Sequence, residues 1–212
     1  MAVSDRLPAR PEMLQALNGA LRKVPAWVLY VAGAAWGAWL FWLALTGGLG
    51  PEPITELEHR YGELAINLLV AGLAVTPLRR HLGLNLMPHR RAIGVLTFFF
   101  LLAHVAVWAV LDVQALDRVW ADILKRPYIT IGMAAFLLLV PLGLSSNDWS
   151  VRRLGAATWR RLHKLVYPAA VLGALHYIWL AKGFQIEPLL YMAAILGLLA
   201  LRFRPATRRV RP

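Results

Sequence analysis

Six long apolar runs, separated by short polar and basic loops, dominate this chain of 212 residues. They cover about 27–45, 64–78, 92–111, 129–144, 165–181 and 189–201. A membrane-spanning helix needs about 20 mostly apolar residues. The chain is 59% hydrophobic and only 16% charged, whereas soluble domains are about 45–50% apolar and about 25% charged. The pattern predicts an all-α integral membrane protein, a bundle of six transmembrane helices.

The basic residues lie mostly on one side of these predicted spans. The chain has 23 Lys and Arg against 11 Asp and Glu, and 18 of the 23 fall in the N-terminal segment, the second and fourth loops and the C-terminal tail. Loops rich in Lys and Arg stay in the cytoplasm, so both termini are predicted to be cytoplasmic. We expect a cytoplasmic segment at 1–24, a membrane domain at 25–203 and a basic tail at 204–212.

Composition and motifs exclude several function classes. The high proportion of apolar residues argues against a soluble nucleic-acid binder, although the net charge is +12. The chain has no cysteine, which excludes disulfides, thiolate-bound metal clusters, covalent c-type haem and a cysteine nucleophile. It also has no phosphate-binding loop and no dinucleotide-binding glycine motif. Any chemistry must therefore take place within the bilayer or on small loops, and the basic loops are expected to contact anionic lipid.

Two of the six histidines lie deep inside predicted spans, where an ionisable side chain indicates function. His104 is 13 residues from Arg91, at the cytoplasmic start of the third span, and His176 is 13 residues from His163, at the start of the fifth. At 1.5 Å per residue both lie about 20 Å from the cytoplasmic face. Two imidazoles at one depth on parallel helices predict a pair of axial ligands for a haem iron.

Other interpretations of these histidines are weaker. A zinc site needs three or four ligands, and no carboxylate lies at this level. A proton relay needs acids within the spans, and only Glu63 comes close. A packed histidine bonded to a carbonyl remains the plain alternative for either residue. His59 and His81 fall in loops and are interpreted as solvated.

A second group of candidate residues lies at the cytoplasmic end. Arg90 is 14 residues before His104, which places it within about 40° of the same helix face, and His89 within about 60°. His163 starts the fifth span. Arginine stays protonated and cannot ligate iron, so Arg90 is expected to pair a haem propionate or a flavin phosphate, with His89 as the alternative ligand.

The spacing of His163 and His176 predicts how deep each residue lies in the membrane better than it predicts which face of the helix each one occupies. Thirteen residues correspond to about 140° on an ideal helix, and Pro168 and Gly173 lie between them as residues that alter local winding. Most tryptophans fall near predicted membrane interfaces, where aromatic belts belong. These are Trp27, Trp120, Trp149, Trp159 and Trp179.

Four segments carry a resemblance to a known family. RRAIGVLTFFFLLAH (90–104) and WRRLHKLVYPAAVLGALHYIW (159–179) are similar to the ferric-reductase-type transmembrane domain. GGLGPEPITELEHRYG (47–62) and RPYITIG (126–132) narrow the resemblance to the MsrQ (YedZ) family. The resemblance covers about 25–203. The wider superfamily has two histidines on the third helix, and this chain has Arg90 where the first would stand.

The resemblance implies a membrane b-type cytochrome with one or two haems and FMN. It implies that His104, His163 and His176 are haem-associated. Electrons would pass from a cytoplasmic flavin reductase or the quinol pool, across the bacterial inner membrane, to a periplasmic molybdopterin-containing methionine sulfoxide reductase subunit, MsrP. Such a chain is an electron-transfer subunit rather than a stand-alone enzyme.

Three alternatives stay open from the sequence. The same haem would serve a quinol-linked cytochrome or a metal-ion reductase. A transporter or structural membrane subunit would carry no cofactor. An assembly chaperone would be dispensable for its partner's activity in vitro.

Overall fold

The structure, a computed structural model, describes residues 10–181 and 185–202, and this part of the chain forms ten α-helices and no strand. The helices are α1 (Arg10–Lys23), α2 (Ala26–Leu45), α3 (Pro53–Pro77), α4 (Arg90–Ala106), α5 (Leu116–Lys125), α6 (Pro127–Leu144), α7 (Asp148–Leu154), α8 (Ala156–Leu162), α9 (Val166–Leu180) and α10 (Ile186–Ala200). Short 3₁₀ turns precede α4 and α9, and π-helical turns follow α3 and α4. The predicted all-helical class is confirmed.

Four helical segments among the described residues are long and apolar enough to cross a membrane. They are Ala26–Leu45, Pro53–Leu82, Met87–Asp112 and Pro127–Leu144. Helices α9 and α10 have 15 residues each, which cover about 22 Å, less than the roughly 30 Å of a hydrocarbon core. Each predicted span coincides with an apolar helix. The count of six spans and the cytoplasmic position of the termini stay predictions.

Helices α3 and α4 pack along their length and form the first half of the core. Leu57, Tyr61 and Ala65 of α3 are four residues apart and pack with Leu96 and Phe100 of α4, because residues at this spacing share one helix face. Helix α2 joins them at Gly37. The carbonyl of Gly37 accepts a hydrogen bond of 2.8 Å from the Tyr61 hydroxyl, and a Cβ at Gly37 would lie 3.3 Å from the Phe100 ring.

Helix α9 forms the second half of the core, between α6, α3 and α10. Ala170 and Ala174 of α9 are completely buried with Ile195 of α10, against Leu69 and Leu73 of α3. Small residues let membrane helices approach closely. This packing brings α9 near the centre of the bundle.

Short helices occupy regions that the sequence suggested only as loops or polar segments. Helix α5 lies within 112–127, a region predicted as an outer loop, and its Leu116, Trp120 and Leu124 are exposed and four residues apart. Charged residues alternate with the apolar ones along the sequence, so a search for long apolar runs does not detect this helix. Residues 1–9, Lys182 and the predicted tail 204–212 lie outside the described residues.

Candidate cofactor-binding site

His104 of α4 and His176 of α9 face each other within the bundle. Their ring centroids are 6.4 Å apart and their planes are inclined by 73°. The sequence predicted a common depth for the two residues, and the packing of α4 and α9 in one bundle brings their rings together. The two histidines are 72 residues apart in the chain and lie on different helices.

Each ring is anchored in the same way. The Nδ1 of His104 lies 2.9 Å from the carbonyl oxygen of Glu58 on α3, and the Nδ1 of His176 lies 2.8 Å from the carbonyl oxygen of Tyr128 on α6. A carbonyl only accepts hydrogen bonds, so Nδ1 donates and carries the proton in both rings. The Nε2 atom of each ring keeps its lone pair free to bind a metal, which is the arrangement typical of histidine ligands.

Two glycines make room for these rings. A Cβ on Gly62 would lie 3.1 Å from the Nδ1 of His104, and a Cβ on Gly132 would lie 2.7 Å from the Nδ1 of His176. Each glycine stands four residues after the residue that supplies the carbonyl, Glu58 on α3 and Tyr128 on α6. Residues four apart share a helix face, so α3 and α6 present the same device. We call each pair of carbonyl and glycine a histidine notch.

The geometry fits two axial ligands of a single iron. A metal–nitrogen bond is about 2 Å and a ring nitrogen lies about 1 Å from its ring centre, so two imidazoles on opposite sides of one metal have centroids about 6–6.5 Å apart. The observed 6.4 Å falls in this range. Among the described residues, no group of three or more His, Asp, Glu or Cys is placed to hold a metal. The donor set therefore suits a porphyrin iron, whose ring supplies the remaining ligands, better than zinc.

A cavity of about 330 Å³ lies toward the ends of the helices where Arg90 and His163 stand. Helices α3, α4, α6 and α9 line it, together with Trp159 of α8 and Arg202. Gly94 leaves the α4 wall of the cavity open, since a Cβ there would meet nothing within 4 Å. The structure therefore brings Arg90 and His163 together at one cavity, while their role as cofactor-binding residues stays a prediction.

His163 has one ring nitrogen committed and the other nearly free. Its Nδ1 donates to the carbonyl of Trp159 at 3.0 Å, and its Nε2 is 3.5 Å from the hydroxyl oxygen of Ser146. Burial lowers the pKa of His163 below its usual value, and the charge of Arg90 lowers it further. Because Nδ1 carries the proton that it donates to Trp159, the Nε2 lone pair is available to a metal. The winding changes at the 3₁₀ turn His163–Leu165, before Pro168.

The remaining histidines lie elsewhere. His89 is buried, and its Nε2 lies 2.9 Å from the carbonyl of Val24, so it ties the start of α4 to the segment between α1 and α2. It does not line the cavity with Arg90 and His163. His59 and His81 are exposed, as predicted.

Sequence reasoning missed several residues of the site. Trp159, interpreted as part of an aromatic belt, stacks on His163 with ring centroids 3.7 Å apart. Arg202, which no motif singled out, lines the cavity. Gly62 and Gly132 end the stretches 47–62 and 126–132 that carry the family resemblance. Each glycine stands four residues after Glu58 or Tyr128, and this spacing is visible in the sequence. That it makes room for a histidine ring becomes visible only when the facing helix is located.

Comparisons with known proteins show which family the chain resembles. Residues 60–174 match the family model described as ferric reductase like transmembrane component. This range contains His104 and His163 and ends two residues before His176. No solved structure matches the chain.

Curated relatives resemble the chain over nearly its full length. A protein of Agrobacterium fabrum is 43% identical over 100% of this chain and 99% of its own length. Proteins of Brucella anthropi and Brucella ovis are 43% identical over 88% of this chain and 85% of their own. All three bear the name protein-methionine-sulfoxide reductase heme-binding subunit MsrQ. Identity of this extent shows that the chain belongs to the MsrQ family, with a transmembrane region of the ferric reductase type.

Proposed function

We propose that this protein is a haem-binding membrane subunit that relays electrons across the bacterial inner membrane to a periplasmic methionine sulfoxide reductase. Its relatives are named as heme-binding subunits of such a system. The observation that carries the proposal is the pair of rings of His104 and His176, 6.4 Å apart. Both direct Nδ1 to a carbonyl and leave Nε2 for iron.

The chain's own residues bind and orient the cofactor. A b-type haem held by His104 and His176 supplies reversible one-electron chemistry that side chains lack. The carbonyls of Glu58 and Tyr128 hold the ring planes and make each imidazole a stronger donor to the metal. The surrounding apolar helices limit the access of water.

The second cavity is proposed as the entry site for electrons. Arg90 and His163 line it, and we assign it a second haem or FMN. The Nε2 of His89 contacts the carbonyl of Val24, which favours His163 over His89 as the ligand there. We place the haem domain at 25–203, with cytoplasmic flanks at 1–24 and 204–212.

The partners are proposed on both faces of the membrane. A cytoplasmic flavin reductase or a membrane quinol would deliver electrons near Arg90 and His163. The outer loops 46–60, 112–127 and 181–188 would receive MsrP, the molybdopterin-containing subunit that repairs oxidised envelope proteins. Both histidine notches lie on helices that begin at these outer loops, so the proposed haem is close to the docking face.

The absorption spectrum of the purified full-length chain tests the haem site. We expect a Soret band with the sharp bands of a six-coordinate b-type haem, and we expect His104→Ala and His176→Ala each to remove that haem's contribution. His59→Ala, at an exposed histidine, is the matched control and should leave the spectrum unchanged. A spectrum without a Soret band, or one that both variants leave intact, would falsify the proposal.

Two further measurements define the electron path. Pyridine haemochrome stoichiometry with a parallel flavin assay gives the number of haems and of FMN. We expect His163→Ala to lower the occupancy of the second site while sparing the outer haem, with thermal stability checked alongside. Reduction by quinol and by NADH with a flavin reductase, compared on the same preparation, identifies the donor.

A further inference from the structure

The cavity beside His163 is strongly basic. Arg90, Arg91 and Arg202 all line it, and none of the described lining residues is Asp or Glu. Arg91 is paired, because its Nη1 lies 2.7 Å from a carboxylate oxygen of Asp148. Arg90 and Arg202 form no ion pair within the described residues. Two positive charges thus share one cavity without a protein counter-charge there.

Arg202 is held in place by contacts that leave its charge uncompensated. It donates to the hydroxyl of Tyr167 at 3.2 Å and to the carbonyls of Gly72 and Leu73. Its guanidinium carbon lies 5.5 Å from the centre of the Tyr167 ring. The buried Nε–H has no hydrogen-bond acceptor among the described residues. The guanidinium is therefore positioned with one donor still unused.

An anion in the cavity would compensate the two charges. Unpaired charge at the edge of a membrane is unfavourable, since the surroundings have a low dielectric constant. Guanidinium groups bind phosphate and carboxylate with two parallel hydrogen bonds. We propose that Arg90 and Arg202 together bind the phosphate or carboxylate group of the molecule that occupies this cavity. This inference rests on the proposed electron-entry function of the same cavity.

Three pairs of probes, each an acidic molecule and its neutral counterpart, test the inference. They are FMN with riboflavin, haem with its dimethyl ester, and phosphatidylglycerol with phosphatidylcholine. Binding to the purified full-length chain is measured by titration for the soluble probes and in lipid nanodiscs for the lipids. We expect at least one acidic probe to bind about tenfold or more tightly than its neutral counterpart, since a charge-assisted hydrogen bond is worth at least that factor. The pair that responds identifies cofactor phosphate, propionate or lipid headgroup.

Variants then assign the preference to the two arginines. Arg90→Gln and Arg202→Gln should each abolish the advantage of the acidic probe, while Arg202→Lys should retain part of it. The matched control is Arg153→Gln, which removes the same charge from an exposed residue of α7 that does not line the cavity, and it should leave the advantage intact. Thermal unfolding of every variant identifies any loss of fold, and Arg202→Lys keeps the test valid if Arg202→Gln is unstable.

The outcomes separate this inference from the proposed relay. The anion site is refuted if no acidic probe outbinds its neutral counterpart, or if Arg153→Gln has the same effect as Arg202→Gln. The relay is refuted if the same preparations lack the haem spectrum that depends on His104 and His176. The binding titrations and the haem spectrum are separate measurements, so either proposal can fail without the other.

Discussion

At the scale of single residues, the two histidines of the proposed haem site are held by the same arrangement on two different helices. Glu58 and Gly62 on α3 receive His104, and Tyr128 and Gly132 on α6 receive His176. The carbonyl sets which nitrogen carries the proton, and the missing side chain four residues later lets the ring lie against the helix. Both features are needed, because a ring that cannot approach the helix cannot reach the carbonyl.

The histidine notches predict the effect of adding one methyl group. In Gly132→Ala the new Cβ would lie 2.7 Å from the Nδ1 of His176, closer than real contacts allow, so the ring must move. In Gly62→Ala the corresponding distance is 3.1 Å, so the shift should be smaller. We expect lowered haem occupancy, a changed low-spin electron paramagnetic resonance signal and a shifted midpoint potential, each larger for Gly132→Ala.

The control for this prediction is Gly197→Ala on α10, where a Cβ would meet nothing within 4 Å. Alanine favours the helix over glycine by up to about 1 kcal/mol, so this variant should be at least as stable as the parent and spectroscopically identical to it. An unchanged resonance signal and potential in Gly132→Ala would show that the notch does not position His176.

At the scale of helices, α10 is attached to the bundle by a polar contact as well as by apolar packing. The hydroxyl of Tyr191 donates to the side-chain oxygen of Asn67 on α3 at 2.8 Å. Asn67 lies near the middle of the segment Pro53–Leu82. Hydrogen bonds between membrane helices replace the hydrophobic driving force that is missing in lipid. This bond therefore helps to hold α10, and with it Arg202, in position.

Removing this bond should weaken the bundle without affecting the haem. We expect Tyr191→Phe to lower the free energy of unfolding in detergent by about 0.5–2 kcal/mol, the range measured for such bonds, with an unchanged haem spectrum. Tyr30→Phe on α2 is the matched control, since the Tyr30 hydroxyl makes no hydrogen bond to the described residues. If the Tyr191→Phe variant were as stable as the parent, the hydrogen bond to Asn67 would not contribute to holding α10.

At the scale of the whole molecule, charge and packing give the bundle two different ends. The proposed haem site lies near the loops predicted to be outside, and the basic cavity lies at the other end, with Arg91 and Asp148 at its rim. Transfer in one direction across a membrane requires such an asymmetry, since donor and acceptor must bind on opposite faces. The predicted orientation assigns the basic cavity to the cytoplasm.

The absence of cysteine makes this orientation directly measurable. We expect Asp117→Cys, on α5, to react with a membrane-impermeant maleimide in intact spheroplasts. We expect Ala157→Cys, on α8, to react only after the membrane is permeabilised, because Lys- and Arg-rich loops remain in the cytoplasm. The parent chain is the blank, since it has no thiol. Labelling of Ala157→Cys in intact spheroplasts would contradict the predicted orientation and support the opposite one.

The positions of the long helices and the depth of the two histidines were predictable because they are local properties. An apolar run defines a helix in lipid, and a fixed rise per residue converts the 13 residues before His104 and before His176 into a depth. The short helices α5, α7 and α8 were not predictable in this way, because charged residues break up their apolar residues along the sequence and leave no long apolar run. The third and fourth predicted spans correspond to α4 and α6, because a long apolar run locates each of them.

The sequence by itself thus determined a helical membrane protein with His104 and His176 at one level, and it singled out Arg90 and His163 at the other end. Only the tertiary structure decided what each of these residues meets. It placed His89 on the carbonyl of Val24, away from the cavity. The physical reason is that depth follows from the rise along one helix, whereas a contact across helices depends on which small residues let neighbouring backbones approach.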